Sequence, residues 1–245
     1  MSMIFEMLLD RIYDTLCCRR KKHGWFFTIG EYRKTKLSGK LSFLFKRLFL
    51  FGYSRLQMRY DRNKHISSKI EGYIYGQGEK LTADMLLGKS RTADVGCECI
   101  AVYNAMQRIN QYTPFCDVLL EMEMNHMTWF DLGGCLGLDP RKLYRYFDAH
   151  RVTYKKYTDM EAFQSKAGSR TCIVGFKLKD SRFRVHTVML HRLRDEWIVY
   201  NSSGDSQRPM KFSSLNDVIG GGRFMVGYVL YKKKKSDEQT ADTEQ

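Results

Sequence analysis

The stretch Val95-Gly96-Cys97-Glu98-Cys99-Ile100-Ala101-Val102-Tyr103-Asn104-Ala105-Met106 decides how this chain folds. A glycine turn leads into an apolar segment that predicts a helix, with Cys97 and Cys99 at its start. A cysteine in the first turn of a helix lies near unpaired backbone N–H groups and the positive end of the helix dipole. Such surroundings lower the pKa of a thiol and favour the nucleophilic thiolate. The stretch by itself predicts either a buried structural pair of cysteines, which composition alone favours, or a helix that carries a nucleophile.

Two strand-like segments lie downstream, at residues 185–190 and 196–204. Both are rich in β-branched and aromatic residues and are bounded by turn residues. Two neighbouring antiparallel strands would set His186, at the start of the first, near Asn201, at the end of the second. A cysteine followed along the chain by a histidine and then an asparagine is the order found in papain-like cysteine peptidases.

The residues themselves resemble that superfamily. His186-Thr187-Val188 is similar to its His-Ala-Val strand, and residues 197–204 are similar to its Trp-Ile-x-x-Asn-Ser-Trp-Gly strand. Residues 96–105 resemble a bacterial branch with the pattern Gly-Cys-x-x-Ile-Ala-x-Tyr-Asn-Ala, which is related to the peptidases that cut double-glycine bacteriocin leaders. The resemblance covers about residues 85–232. It implies an α+β, papain-like fold, in which a helical lobe headed by the cysteine helix packs on an antiparallel β-sheet.

The resemblance also implies a reaction. Cys97 attacks a peptide or amide carbonyl, His186 accepts the thiol proton and later donates one to the leaving amine, and Asn201 orients the imidazole. The expected partner is a peptide or protein substrate, such as a ribosomally made precursor, and no cofactor is expected.

Either cysteine of the stretch is a candidate nucleophile. The papain pattern of Cys-x-Ala favours Cys99, whereas the bacterial pattern favours Cys97, which directly follows Gly96. Two residues along a helix correspond to a rotation of about 200°, so the two thiols cannot face the same histidine. Cys97 is therefore the predicted nucleophile and Cys99 the alternative.

The oxyanion hole is where the chain departs from the papain pattern. Papain-like enzymes place a glutamine about six residues before the nucleophile, where its amide stabilises the oxyanion. That position is Arg91 when counted from Cys97, so Ser90 or Arg91 is the candidate donor. The departure leaves open a weak or inactive peptide-binding or membrane-docking protein of the same fold. An acyltransferase is a second alternative, because the same triad order can transfer an acyl group to an amine.

The other histidines are predicted to be structural. His191 lies five residues after His186, so a regular strand would turn it to the opposite face, where a surface or rim position is expected. His126 and His150 have no acidic or cysteine neighbours at a useful spacing.

Charge divides the chain into unequal parts. Residues 1–69 contain 16 Lys and Arg against 5 Asp and Glu, whereas the remaining residues contain 25 against 22. The predicted domains are a basic, amphipathic-helical extension at 1–75, a papain-like domain at 76–235 and a disordered tail at 236–245. Seven cysteines without a disulfide-like spacing indicate reduced thiols and a cytoplasmic location, and no metal set is predicted.

The basic extension contains two apolar segments. Residues 4–17 have helical apolar spacing, and acidic residues within them argue against a signal peptide. Residues 41–51 are strongly apolar but too short and too charged to cross a bilayer. Packing on the catalytic domain is favoured over peripheral membrane contact through residues 1–69, and nucleic acid is not expected.

The predicted elements complete this picture. Residues 79–95 are expected to hold a short helix ended by Gly88, and further helices are expected within 113–149, started by Pro114 and Pro140, and at 159–166. The predicted antiparallel strands are 171–178, 184–192, 197–201, 210–212 and 224–231, with hairpin turns at Asp180-Ser181 and Arg194-Asp195.

Overall fold

The structure is a computed structural model that describes residues 56–125, 137–179, 184–203 and 206–232. Several predictions lie outside the described residues: the helix at 4–17, the apolar segment at 41–51, His126, the turn at Asp180-Ser181 and the tail at 236–245.

Helices occupy most of the first half of the described chain. They are α1 (56–67), α2 (Thr92–Val95), α3 (Cys97–Arg108), α4 (Phe115–Met124), α5 (Tyr144–Ala149), α6 (Met160–Ala167) and α7 (Leu215–Ile219). A 3-10 turn at Pro140–Lys142 precedes α5, and Pro114 stands at the N-cap of α4, so both prolines begin helical segments as predicted.

Strands dominate the second half. A two-stranded hairpin contains β1 (Leu86–Leu87) and β2 (Ser90–Arg91), and the main sheet contains β3 (Thr153–Tyr157), β4 (Thr171–Lys177), β5 (Val185–Leu193), β6 (Glu196–Tyr200), β7 (Met210–Phe212) and β8 (Arg223–Tyr231). The order in the main sheet is β3-β8-β4-β5-β6-β7, and each pairing is antiparallel. The fold is therefore α+β, with helices packed on an antiparallel sheet.

The sheet separates two apolar cores. Met189 of β5 lies in the core beneath α3 and α4, whereas its neighbours Val188 and Leu190 lie in the second core with Phe163 and Leu215. This division follows from the two-residue period of a strand, which sends successive side chains to opposite faces.

Helix α3 is buried along most of its length. Residues 97–106 are all buried, and the helix packs on β5, β4 and α4. A helix that is apolar around most of its circumference is stable only inside a core. The stretch at residues 95–106, with which the sequence analysis began, thus contributes the central helix of the core that contains Met189, called the first core below.

Residues 56–75, which the sequence assigns to the basic extension, pack in this same core. The Tyr60 hydroxyl donates to Asp117 Oδ1 of α4 at 2.8 Å, and Arg59 forms an ion pair with Glu123. The Asn104 side chain of α3 donates to the Ile74 carbonyl at 2.7 Å and accepts from the Ile74 N–H at 2.9 Å. Both ends of this segment are therefore fixed to the helical core.

The prediction and the structure differ in several short elements. The short helix expected before Gly88 is wrong, because Gly88, at φ +62°, allows a tight turn that pairs Leu87 with Ser90. Strand β3 is absent from the prediction because Lys155 and Lys156 are both exposed, so its apolar alternation is weak. The turn at Arg194-Asp195 and the five predicted main-sheet strands are confirmed, with bounds shifted by one residue at most of their ends.

None of the helices in the described ranges combines the length and the apolar character that a membrane crossing requires.

Candidate active site

A tight turn delivers Cys97 to the start of α3. Gly96 ends α2, and a Cβ at this position would lie 2.7 Å from the Thr92 carbonyl oxygen, too close for any residue but glycine. The Thr92 hydroxyl is within hydrogen-bond distance of the Thr82 carbonyl at 2.6 Å and the Met85 carbonyl at 2.7 Å. Thr92, at the start of α2, is therefore fixed to the loop that precedes it.

Cys97 lies against the first residues of β5. Its sulfur is 4.0 Å from the carbonyl oxygen of Val185, the residue directly before His186. The cysteine is only 5% exposed, and it stands outside the apolar cluster that contains Cys99. The packing of α3 on β5 thus brings the predicted nucleophile beside the strand that carries the predicted base.

The structure places Asn201 beside His186, through its main chain. His186 Nε2 lies 2.7 Å from the carbonyl oxygen of Asn201. A carbonyl oxygen can only accept, so Nε2 carries the hydrogen and the neutral ring keeps its lone pair on Nδ1. The tautomer that this contact fixes is one in which Nδ1 is the basic nitrogen.

The Asn201 residue itself is rigidly held. It is fully buried, has φ +62°, and donates its N–H to the Tyr75 carbonyl at 2.9 Å. Its side-chain Nδ2 reaches the Thr187 carbonyl only at 3.5 Å, and its Oδ1 has no hydrogen-bond partner within the described ranges. The expected orienting contact from the asparagine side chain is therefore made by its backbone.

Glu98 is a residue of this site that the sequence analysis did not identify. Its carboxylate is 2% exposed and accepts a hydrogen bond from Cys97 Sγ at 3.2 Å and one from the Thr187 hydroxyl at 3.1 Å. Glu98 thus connects the candidate nucleophile to the residue that follows His186 in β5.

The pKa values of these groups differ from the sequence expectation. Burial raises the pKa of the Cys97 thiol well above its usual range, and the neighbouring Glu98 carboxylate raises it further. The expectation that the helix start would lower this pKa is wrong, because desolvation and an adjacent negative charge both oppose the thiolate. Burial also raises the pKa of Glu98 to about 7.

Burial lowers the pKa of His186, and the hydrogen bond to the Asn201 carbonyl opposes part of this shift. Arg184 lowers the pKa further, since a second positive charge nearby disfavours the imidazolium. His186 is accordingly held as a neutral base.

Cys99, the alternative nucleophile, is inside the first core. It is fully buried, and burial raises the pKa of its thiol well above the usual range. Its position on α3 turns it into the apolar cluster, where a substrate has no access.

The two candidate oxyanion donors lie in β2. Arg91 Nε is 3.3 Å from Asp94 Oδ2, and both side chains are more than half exposed. Arg91 is thus engaged in a surface ion pair, whereas Ser90 is half-buried.

Two other histidines differ from their predicted surroundings. His191 is 7% exposed and packs against Tyr200, so the expected surface position is wrong. His150 has the acidic neighbour that its local sequence lacks: its Nε2 lies 2.5 Å from Glu121 Oε2 of α4, which is 29 positions earlier in the chain.

A cavity of about 450 Å³ opens beside His186. Phe176, Leu178 and Ile219 contribute apolar walls, and Lys179 and Arg184 contribute two cationic side chains. No Asp or Glu is among the described residues that line it. The cavity therefore combines apolar contact with positive charge next to the candidate base.

Within the described ranges, no three His, Cys, Asp or Glu side chains are grouped closely enough to hold a metal ion.

No protein-family model matches the chain, and no curated protein matches it. Among solved structures, the chain is similar to the crystal structure of the peptidase domain of Streptococcus ComA, a bifunctional ABC transporter involved in a quorum-sensing pathway. The TM-score is 0.41 and the sequence identity 11%, over 60% of this chain and 98% of that one. At these values the similarity does not establish a shared function.

Proposed function

We propose that the chain is a papain-like cysteine peptidase or amide hydrolase, with Cys97 as the nucleophile and His186 as the proton carrier. The observation that carries the proposal is the position of the Cys97 sulfur beside the start of β5, with the imidazole of the next residue oriented by the Asn201 carbonyl. These three residues come from α3, β5 and the end of β6, which are far apart in the sequence. The His186 ring packs against Phe176 on the second-core face of β5, so the proposal requires it to reach the Cys97 sulfur.

The histidine tautomer determines which ring nitrogen transfers the proton in the proposed reaction. Nδ1 of His186 takes the thiol proton while the sulfur bonds to the substrate carbonyl carbon, and the resulting imidazolium donates a proton to the leaving amine. Water then attacks the acyl-enzyme with the same histidine as base, which releases the acid product and restores the thiol. The Asn201 carbonyl accepts from Nε2 throughout and stabilises the imidazolium as it forms.

The cavity beside His186 indicates the class of substrate. Lys179 and Arg184 favour a peptide with an acidic side chain near the bond to be cut, and the apolar walls accommodate a neighbouring aliphatic residue. A ribosomally made precursor peptide remains the proposed physiological substrate.

The proposal is tested by peptide hydrolysis with purified protein. A library of peptides with acidic, neutral or basic side chains is incubated with the wild type, Cys97→Ala and Cys99→Ala, and products are read by mass spectrometry. Loss of hydrolysis in Cys97→Ala with activity kept in Cys99→Ala is the expected pattern. The reverse pattern would move the nucleophile to Cys99.

An acyltransferase with the same residues gives a different product in this assay. Addition of a primary amine would then yield the amide conjugate at the expense of the hydrolysed acid. The partition between the two products distinguishes transfer from hydrolysis.

A non-catalytic peptide-binding protein is the second candidate, and the raised pKa of Cys97 favours it, because a protonated thiol is a weak nucleophile. Peptides that bind to the wild type and Cys97→Ala with equal affinity and remain intact would support this candidate.

The cytoplasmic location and the peripheral membrane contact through residues 1–69 also remain proposals. Co-sedimentation with anionic and neutral vesicles tests the contact. The truncated variant for that assay removes residues 1–50, because α1 belongs to the folded core.

A further inference from the structure

The Glu98 carboxylate is in direct hydrogen-bond contact with the Cys97 thiol, so its charge acts on the pKa of that thiol at short range. Its Oε2 is 3.2 Å from the Cys97 sulfur, and its Oε1 is 3.1 Å from the Thr187 hydroxyl. Both carboxylate oxygens are therefore engaged inside the site, and solvent does not reach them, since the residue is 2% exposed. A fixed carboxylate at this distance acts on the thiol through a poorly screened interaction.

The start of α3 holds two groups that compete for the same stabilisation. Unpaired N–H groups and the helix dipole stabilise one negative charge at this end of the helix. Glu98 uses its own backbone N–H for its carboxylate, and the Thr187 hydroxyl adds a second donor. The carboxylate thus receives the stabilisation that a thiolate at Cys97 would otherwise receive.

We propose that Glu98 holds Cys97 in its thiol form and sets the pH at which the sulfur becomes a nucleophile. Glu98 is in this sense a positioning residue: it acts on the reacting sulfur and is not required to touch the substrate. The inference deepens the proposed function and rests on it only for the claim that Cys97 reacts with a substrate. The coupling between Glu98 and Cys97 can be measured without any substrate.

The groups that face the Glu98 carboxyl define this coupling. Cys97 and Cys99 lie on its own helix, the Thr187 hydroxyl faces it from β5, and the Leu138 backbone faces it from the segment before Pro140. Gly137 also lies close, since a Cβ there would be 3.8 Å from Glu98 Oε2. Cys97 is the titratable group that is hydrogen-bonded to the carboxylate. A change of charge on Glu98 therefore shifts the pKa of the Cys97 thiol more than that of the other groups.

The coupling has a definite pH signature. The first proton that the Glu98–Cys97 pair loses comes mainly from Glu98, which leaves the thiol and the carboxylate. The new negative charge opposes ionisation of Cys97, so the fraction of thiolate stops rising over the next pH unit or more. A plot of the logarithm of the alkylation rate against pH therefore has a shoulder that begins near pH 7, where Glu98 titrates. An uncoupled thiol gives a straight rise with one bend at its own pKa.

The test is iodoacetamide labelling of the full chain across pH 5–9, with peptide mapping of each cysteine. Alkylation joins the Cys97 sulfur to the reagent's carbon and releases iodide, while the thiol proton goes to Glu98 or to the buffer. We expect Glu98→Gln, which keeps the shape of the side chain and removes its charge, to react about five- to tenfold faster than the wild type at pH 8. At pH 5.5, where Glu98 is already protonated, the two rates should be nearly equal.

A matched control is Glu196→Gln, which removes an exposed carboxylate that pairs with Lys211 in the main sheet. Its labelling profile should follow that of the wild type. Should Glu98→Gln fail to fold, the wild-type profile alone decides: a shoulder near pH 7 at Cys97 supports the coupling.

A straight wild-type profile, or a folded Glu98→Gln protein that labels no faster at pH 8, would overturn the inference. Peptide hydrolysis tests the proposed function separately. A protein with the shoulder and no hydrolysis would keep the coupling and remove the peptidase, whereas hydrolysis without the shoulder would do the reverse.

Discussion

The backbone carbonyl and the side chain of Asn201 make different contacts, and only the carbonyl contacts His186. The backbone oxygen orients the imidazole at 2.7 Å, whereas the Asn201 side chain makes one long contact to Thr187. A substitution that changes the side chain and keeps the carbonyl in place should therefore leave the histidine oriented.

We predict that Asn201→Gly retains hydrolysis to within about tenfold of the wild type, whereas His186→Ala loses at least about 100-fold. Glycine adopts the φ of +62° at this position without strain, so the carbonyl keeps its direction. The kcat/KM of the two variants on one cleaved peptide is the measurement. A loss in Asn201→Gly as large as that in His186→Ala would assign the orienting role to the Asn201 side chain.

His191 makes the stability of the protein depend on acid. Burial and the nearby Arg108 lower the pKa of His191 from 6.5 to about 4, and its Nδ1 has no hydrogen-bond partner in the described part of the chain. Between these two pH values the unfolded chain binds a proton at this residue and the folded chain does not. The contribution of His191 to stability is therefore constant well above pH 6.5 and falls as the pH drops toward 4.

We predict that this residue accounts for about 2–3 kcal/mol of the free energy of unfolding lost between pH 6.5 and pH 4. Urea unfolding of the wild type and His191→Phe at both pH values provides the measurement, with His65→Phe, at an exposed position of α1, as the matched control. An equal loss in the wild type and His191→Phe would show that other groups carry the acid sensitivity.

At the scale of elements, helix α1 joins the fold through polar contacts as well as apolar ones. Tyr60 buries its ring in the first core and donates its hydroxyl to Asp117 of α4, while Asn63 makes two hydrogen bonds to the backbone of Leu86 in the β1–β2 hairpin. The hairpin leads directly into α2 and Cys97, so α1 supports the loop that delivers the nucleophile.

We predict that Tyr60→Phe lowers the free energy of unfolding by about 1–2 kcal/mol, because it leaves Asp117 buried without this donor. Removal of residues 1–75 should prevent folding, since it deletes Tyr60, Ile70 and Ile74 from the core. Thermal unfolding followed by circular dichroism measures both effects. A truncated chain of residues 76–245 that unfolds cooperatively at the wild-type temperature would contradict this assignment of α1 to the core.

The helices and strands also show which sequence signals were sufficient to predict an element. Apolar alternation located the five main-sheet strands, and Pro114 and Pro140 marked helical starts, because both signals act within a few residues. The β1–β2 hairpin was not predicted, since its leucines fit a helical turn equally well until Gly88 adopts a positive φ. Local patterns thus fixed the elements with strong periodicity and missed the short ones.

At the scale of the whole molecule, the candidate site depends on contacts between distant parts of the chain. The contact between His186 and Asn201 was predicted from motif order and strand pairing, although it is made by the Asn201 backbone. The role of Glu98 was not, because its partner Thr187 lies 89 positions away and no local pattern records that a carboxylate will be buried. The direction of the Cys97 pKa was wrong for the same reason, since desolvation is a property of the complete fold.

The order of the main sheet has one more consequence, which concerns contacts between copies of the chain. Strands β3 and β7 stand at its two ends, so within the described residues each has one side without a hydrogen-bonded neighbour in the sheet. An unpaired strand is a template for intermolecular pairing and aggregation, which lysine side chains and a short strand both oppose. β3 carries exposed Lys155 and Lys156, and β7 has three residues with Lys211 exposed at its centre. Lys155 and Lys156, which weakened the apolar alternation of β3 in the sequence, thus also oppose pairing of β3 with a strand of another molecule.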